Sequence, residues 1–123
     1  MTADTRTVLA ATLTLPWPPS LNRMVRRSGT RVHVSQAAHD YKDTAGWRAR
    51  AQGVRAAVAG NLRVTVHLYR PTRTGDIDNY LKVVFDSMTG VLWVDDAQVV
   101  ELHVYRHDDK DCPRVELQVE EIA

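Results

Sequence analysis

Two aspartates one residue apart, Asp76 and Asp78, follow a glycine and precede a lysine, Lys82. In an extended segment, residues i and i+2 point to the same side, so these two carboxylates converge. A second acidic pair, Asp95-Asp96, follows a short apolar turn further along the chain. A fold that doubles back between the two segments brings a third carboxylate to the first two.

Clustered carboxylates repel one another, and a bound hard cation relieves that repulsion. Mg²⁺ takes oxygen ligands and completes its shell with water and substrate phosphate. Such an ion activates a water and stabilises the charge on a phosphodiester during hydrolysis. The same residues also have plainer roles open to them. Asp76 and Asp78 can cap a helix, Asp95-Asp96 can form a turn, and Lys82 can be a solvated helix residue.

The period of the apolar residues changes to that of a helix after Asn79, and the predicted helix ends at Gly90. Asp78 then lies at or near its N-cap. Lys82 lies one turn inside, and its side chain leans back towards the acids because helical side chains point towards the N-terminus. Asp86 is assigned a structural role. The predicted apolar face consists of Leu81, Val84, Phe85 and Met88.

The length of 123 residues predicts a single domain, 1–123, that buries roughly two thirds of its unfolded surface. No apolar run is long enough to cross a bilayer, and the first residues lack the charged-then-apolar pattern of a secretory signal. Cys112 is the one cysteine, so an intramolecular disulfide is excluded, and no Cys/His spacing is typical of zinc. We therefore expect a cytoplasmic protein without a membrane segment.

Charge is divided unevenly although the net formal charge is only +1. Residues 1–74 hold twelve Lys/Arg against three Asp/Glu, whereas residues 75–123 hold four against twelve. A basic half beside an acidic half fits a protein that holds a polyanion on one part and a metal on the other. Mutual neutralisation of the two halves across the fold is the alternative.

Arginines are concentrated in two segments that we predict to contact DNA phosphates. The first segment is a basic loop or ribbon between Asn22 and Val34, for which a solvated surface loop is the alternative. The second is the loop that delivers the aspartates. The arginines concerned are Arg23, Arg26, Arg27 and Arg31 in the first segment, and Arg70 and Arg73 in the second.

Alternating apolar residues predict strands near residues 7–15, 62–69, 100–105 and 115–119. The loop 107–113 is interpreted as a hairpin loop that lets the last two strands pair. A further helix is predicted from Ser35 to about Ala59, with a kink or early end at its glycines. The apolar stripe assigned to this helix consists of Trp47, Ala51, Val54 and Val58, extended by Tyr41 and Ala45. The predicted order is β-α-β-α-β-β, an α+β domain with its helices packed on one face of a small sheet.

Four motifs together resemble one known family, the RusA family of Holliday-junction resolvases. The resemblance covers about residues 13 to 120 and includes a proline-rich opening that no metal site requires. The motifs are Leu15-Pro16-Trp17-Pro18-Pro19-Ser20 with Asn22-Arg23, then Val32-His33-Val34-Ser35, then Gly75-Asp76-Ile77-Asp78-Asn79 with Lys82 and Asp86, then Trp93-Val94-Asp95-Asp96-Ala97-Gln98-Val99.

The resemblance implies a RusA-like fold and a Mg²⁺-dependent endodeoxyribonuclease, with Mn²⁺ as a substitute, that acts as a homodimer on a four-way DNA junction. It also implies that Asp76, Asp78 and Asp96 hold the metal while Lys82 stabilises the transition state. The segment before Trp93 is about one residue shorter than in the family, so Asp95 stays open as the third ligand. Members often occur in phages and prophages.

Two other functions remain open from the sequence. One is a module that binds junctions or DNA without catalysis, against which the complete set of acids with Lys82 argues. The other is a metal-dependent nuclease for other branched nucleic acids, such as flaps. Cleavage assays on junction, flap, duplex and RNA substrates separate the three.

Overall fold

Six strands and two helices follow one another in the part of the chain that a computed structural model describes, residues 8–19, 25–28, 31–34, 36–73 and 77–122. The elements are β1 (Val8–Pro16), β2 (Val25–Ser28), β3 (Arg31–Val34), α1 (Gln36–Ala51), β4 (Leu62–Arg70), α2 (Ile77–Met88), a 3₁₀ turn (Asp96–Gln98), β5 (Val99–Asp108) and β6 (Arg114–Glu121).

The main sheet has the order β1-β6-β4-β5. Strands β4 and β5 run parallel and are joined across α2, whereas β6 is antiparallel to both of its neighbours. Strands β2 and β3 form a separate antiparallel ribbon at the basic segment between Asn22 and Val34, and they add two strands to the predicted order. The architecture is α+β with a small mixed sheet, as predicted.

One predicted pairing is wrong, because β6 does not pair with β5. It lies between β1 and β4, and its inward residues Val115, Leu117 and Val119 are at most 1% exposed. In contrast, Leu102 of β5 is 42% exposed. A parallel partner for β4 requires a helical crossover, which α2 supplies, so β5 takes the outer edge and β6 takes the protected centre.

The core lies between the sheet and the helices. Alternate residues of β4 are buried, from Leu62 to Leu68, and they pack with Tyr41 and Ala45 of α1 and with Val84 of α2. Alternation with period two is what a strand with one covered face requires. Neither described helix combines the length and the apolar character that a bilayer span demands.

Helix α1 is shorter than predicted and buries a different face. It ends at Ala51, and Gly53 follows with φ +106°, a conformation that glycine adopts without strain. Trp47, which was assigned to the apolar stripe, is 71% exposed. The buried face carries small residues that allow close approach to the core, with Tyr41 donating a hydrogen bond to the Pro16 carbonyl. These buried residues are Ala38, Tyr41, Ala45, Gly46 and Ala49.

Helix α2 confirms the helix predicted after Asn79 but begins earlier, at Ile77, so Asp78 lies in its first turn and not in the extended segment from which its convergence with Asp76 was predicted. It runs from Ile77 to Met88, and Gly90 beyond it has φ +87°. Val84 and Met88 are fully buried, while Leu81 and Phe85 pack against the core from its border. Because this side is packed against the core, the helix cannot rotate about its axis. The polar residues on the opposite side are therefore held in a fixed direction.

Candidate active site

Lys82 stands on the exposed side of α2 and forms an ion pair with Asp86, its Nζ 3.1 Å from Asp86 Oδ1. This hydrogen bond and the charge of Asp86 raise the pKa of Lys82, and the charge of Asp96 raises it further. Lys82 is therefore a full cation within electrostatic reach of Asp96. Asp78 precedes Lys82 by four residues, which places it on the same side of the helix.

Asp96 is oriented by two donors from the segment that follows α2. Its Oδ1 accepts hydrogen bonds from Thr89 Oγ1 at 2.5 Å and from Trp93 Nε1 at 2.9 Å. Trp93 is completely buried, so its indole N–H is fixed by the core. Among the described residues, none donates a hydrogen bond to the other carboxylate oxygen of Asp96.

Asp95 has a different role from its neighbour. Its carboxylate accepts from the Ala97 N–H at 2.9 Å and caps the 3₁₀ turn. The Gln98 side chain completes the capping box by accepting a hydrogen bond from the Asp95 N–H at 2.9 Å. The same side chain also donates a hydrogen bond to the Val58 carbonyl at 2.8 Å. The turn-forming alternative is therefore observed for Asp95, whereas the carboxylate of Asp96 is bonded to Thr89 and Trp93.

That the three predicted metal ligands, Asp76, Asp78 and Asp96, lie together in one site stays a prediction. Asp76 lies outside the described residues, and Asp78 is exposed in the first turn of α2. Thr89, which holds Asp96, follows Asp78 by eleven residues, a rise of about 16 Å along the helix axis. Among the described residues, no three Asp, Glu, His or Cys side chains lie close enough together to bind a metal.

The donor chemistry nevertheless fits Mg²⁺. Asp78 presents an exposed carboxylate, and Asp96 presents one oxygen without a described hydrogen bond. Hard oxygen donors of this type suit Mg²⁺ and Mn²⁺, whereas Zn²⁺ sites are built mainly from His and Cys. Cys112 lies far along the chain, in the exposed loop between β5 and β6.

The arginines predicted to contact DNA occupy different environments. Arg70 is only 8% exposed, and its Nε bonds Asp108 Oδ1 at 2.5 Å, so its guanidinium is engaged with the half-exposed carboxylate of Asp108. The side chain of Arg73 is 88% exposed and lies 3.6 Å from the same carboxylate. The remaining four lie outside the residues whose side chains are described, with three on the ribbon: Arg26, Arg27 and Arg31 there, and Arg23 before it.

Three residues near the site were not predicted to serve it. Thr89 and Trp93 hold Asp96, and Asp86 holds Lys82. The sequence contains a signal for two of them. Asp86 follows Lys82 by four residues, the spacing of a helical ion pair. A buried tryptophan usually finds a partner for its N–H, and an acid three residues after Trp93 supplies one.

Comparison with known proteins identifies the family of the chain. The family described as "Endodeoxyribonuclease RusA" matches residues 16–120. The "Crossover junction endodeoxyribonuclease RusA" of Escherichia coli K12 is 34% identical over 113 residues, covering 90% of this chain and 94% of that protein. The proteins of that name from Enterobacteria phage 82 and Shigella sonnei Ss046 are each 33% identical with the same coverage. This chain therefore belongs to the RusA family of endodeoxyribonucleases.

Proposed function

We propose that the protein is a Mg²⁺-dependent endodeoxyribonuclease that resolves four-way DNA junctions by hydrolysing two opposed phosphodiester bonds. The observation that carries this proposal is the arrangement around Lys82, a cation held by Asp86 beside the oriented carboxylate of Asp96. The names of the E. coli and phage relatives, crossover junction endodeoxyribonucleases, support the crossover junction as the substrate.

In this proposal, Asp76, Asp78 and Asp96 hold Mg²⁺, for which Mn²⁺ can substitute. The bound ion would supply Lewis-acid activation of a water and of the scissile phosphate. Lys82 would offset the negative charge that grows on the non-bridging phosphate oxygens. Asp86 supports that role because it keeps the ammonium protonated and restricts its position.

DNA would reach this site across the basic half of the chain. The ribbon formed by β2 and β3 carries Arg26, Arg27 and Arg31, with Arg23 just before it, and the side chain of Arg73, three residues before Asp76, extends into solvent. Contacts of this kind orient a duplex through its backbone without reading its sequence. Arg70 would act indirectly, by fixing the end of β4 through Asp108. We place the activity in the cytoplasm of a bacterial or phage-infected cell, where such DNA lies.

We also propose that the protein acts as a homodimer, because two symmetric cuts require two sites related by a two-fold axis. The outer edge of β5 is the surface that we assign to the second copy. It exposes Val100 and Leu102, at 55% and 42%, along a ten-residue strand at one end of the sheet. Antiparallel pairing of two β5 strands would satisfy the free backbone groups of both copies.

A cleavage assay on a labelled four-way junction tests the activity. Paired, symmetric cuts in Mg²⁺ that disappear with a chelator are expected, with much slower cutting of linear duplex. Tight binding without any cutting would instead favour the non-catalytic DNA-binding module. Equal rates on flaps, RNA or duplex would overturn the junction as the specific substrate.

A further inference from the structure

A cleft of about 190 Å³ lies between α1 and α2, next to the pair formed by Lys82 and Asp86. Ala38 and Val83 contribute apolar lining, and Lys42 and Asp86 contribute charge. This volume is below the roughly 300 Å³ of typical small-molecule pockets. A cleft of this size suits a small group such as one sugar-phosphate unit.

Lys42 lines this cleft, and it has no role in the proposed mechanism. It is exposed on α1, and no described acidic group lies within salt-bridge distance of it. Asp86, the acid that shares the cleft, is bonded to Lys82 instead. His39 precedes Lys42 by three residues, and the two line the cleft from the same side of the helix.

The position of the cleft links these cations to the candidate active site. Asp86 lines the cleft and bonds Lys82, and Lys42 lines the same cleft from the other helix, so one carboxylate connects the cleft to the cation of the candidate site. The charge of Asp96 also reaches Lys82. A phosphodiester backbone carries one charge per nucleotide, so a strand bound at Lys82 has further phosphates to place in the cleft beside Lys42.

We infer that the cleft binds the DNA strand that is cut, with the Lys42 ammonium on a backbone phosphate next to the scissile one. The apolar lining at Ala38 and Val83 would contact the adjoining sugar. This inference rests on the proposed function and makes Lys42 a substrate-positioning residue on a helix to which no site residue had been assigned.

The experiment measures junction binding by fluorescence anisotropy in Ca²⁺, at salt concentrations from about 50 to 200 mM. Lys42→Ala is expected to reduce the slope of log affinity against log salt by about 0.9, the effect of one lost phosphate contact. Affinity at the lowest salt should fall on the order of tenfold. Lys42→Arg should restore both quantities. Lys110→Ala is the matched control, because it removes one exposed charge from the loop between β5 and β6.

A second arm identifies the phosphate. Replacing the phosphates beside the cut, one at a time, by neutral methylphosphonates should weaken wild-type binding at one position and leave Lys42→Ala insensitive there. Equal sensitivity of the two proteins at every position would overturn the inference, as would a Lys42→Ala slope equal to that of Lys110→Ala. Failure of the wild-type protein to bind or cut a junction would instead overturn the proposed function, so the two failures are distinguishable.

Discussion

Trp93 Nε1 lies 2.9 Å from Asp96 Oδ1, so a completely buried indole fixes the orientation of a candidate metal ligand. Thr89 holds the same oxygen at 2.5 Å, and both donors come from the short segment between α2 and the 3₁₀ turn. Two hydrogen bonds to one carboxylate oxygen restrict the other oxygen to few directions. The local packing of the core thereby determines where Asp96 presents its remaining acceptor.

Removing these donors should weaken metal binding before it weakens the fold. Thr89→Val keeps the volume of the side chain but deletes the hydroxyl, and we expect roughly a tenfold to hundredfold loss of Mg²⁺ affinity, as for other groups that orient metal ligands. Titration of Mg²⁺ by calorimetry measures the effect without DNA. Thr89→Ser is the control and should bind as the wild type does. Unchanged affinity in Thr89→Val would contradict the positioning role.

Asp76→Asn should abolish cleavage while junction binding survives, because the change removes a charged metal ligand and leaves the arginines intact. Gel-shift binding and cleavage are measured on the same junction in Mg²⁺. Undiminished cutting would remove Asp76 from the site. The same assay applied to Asp78→Asn and Asp96→Asn shows whether the two ends of α2 serve one ion. If Asp96→Asn bound Mg²⁺ as tightly as the wild type, Asp96 would not be a ligand.

Lys82→Ala should slow cleavage by roughly a hundredfold or more and weaken binding much less, since its charge matters most in the transition state. Asp86→Asn should also lower kcat with little change in KM, because the ammonium loses the partner that fixes it. The hydrogen bond to Asp86 raises the pKa of Lys82, whose ordinary value is about 10.4, so Lys82 stays charged throughout pH 6 to 9. Rate changes in that range should come from other groups. A Lys82→Ala variant that loses affinity more than rate would contradict a transition-state role.

Acid stability should depend on Asp108. The hydrogen bond from Arg70, followed by the charges of Arg70, Arg73 and Arg106, lowers the pKa of Asp108. A folded pKa below the unfolded value of about 3.9 means that the pair stabilises the protein fully above that pH and is lost as pH falls through the folded pKa. Wild-type Tm should therefore fall below about pH 4. Asp108→Asn should start from a lower Tm at pH 7 and show a shallower acid limb, whereas Asp111→Asn should resemble the wild type.

If the proposed homodimer pairs through β5, Leu102→Lys should convert it to a monomer, because the change places a lysine on the exposed edge of that strand. Light scattering coupled to size exclusion measures the mass directly. Trp47→Lys is the matched control, since Trp47 is more exposed than Leu102 but lies on α1. Dimers in both variants would place the interface elsewhere. A monomeric wild-type protein would overturn the homodimer itself.

Local sequence patterns predicted most of the secondary structure. They failed where the arrangement depends on contacts between segments that are far apart in the chain. The alternation in β4 and the helical period after Asn79 follow from neighbouring residues, and both predictions are confirmed. The place of β6 between β1 and β4 depends on partners far along the chain, and the predicted hairpin with β5 is wrong. Trp47 was assigned to the apolar stripe by its helical spacing, although mainly small residues form the buried face of α1.

At the candidate site, too, features set by local spacing were predicted better than features set by tertiary contacts. Spacing predicted that Lys82 lies one turn inside a helix, which is confirmed, but the predicted lean of its side chain back towards the first acids is wrong, because the ammonium pairs with Asp86 one turn further along the helix. Asp95 and Asp96 were indistinguishable in the sequence, since both are aspartates in one turn. Only the capping box with Gln98 and the donors at Thr89 and Trp93 separate their roles, and these contacts depend on tertiary structure.

Helix α2 serves the core and the chemistry from its two opposite sides. Val84 and Met88 are fully buried, whereas Lys82 and Asp86 face solvent, within the same twelve residues. Substitutions on the solvent side can change the cleavage activity during evolution while the protein still folds. A single-residue insertion or deletion within the helix would turn all later side chains by about 100° and misplace both sets at once. The length of this helix should therefore vary far less among functional descendants of the chain than its surface residues do.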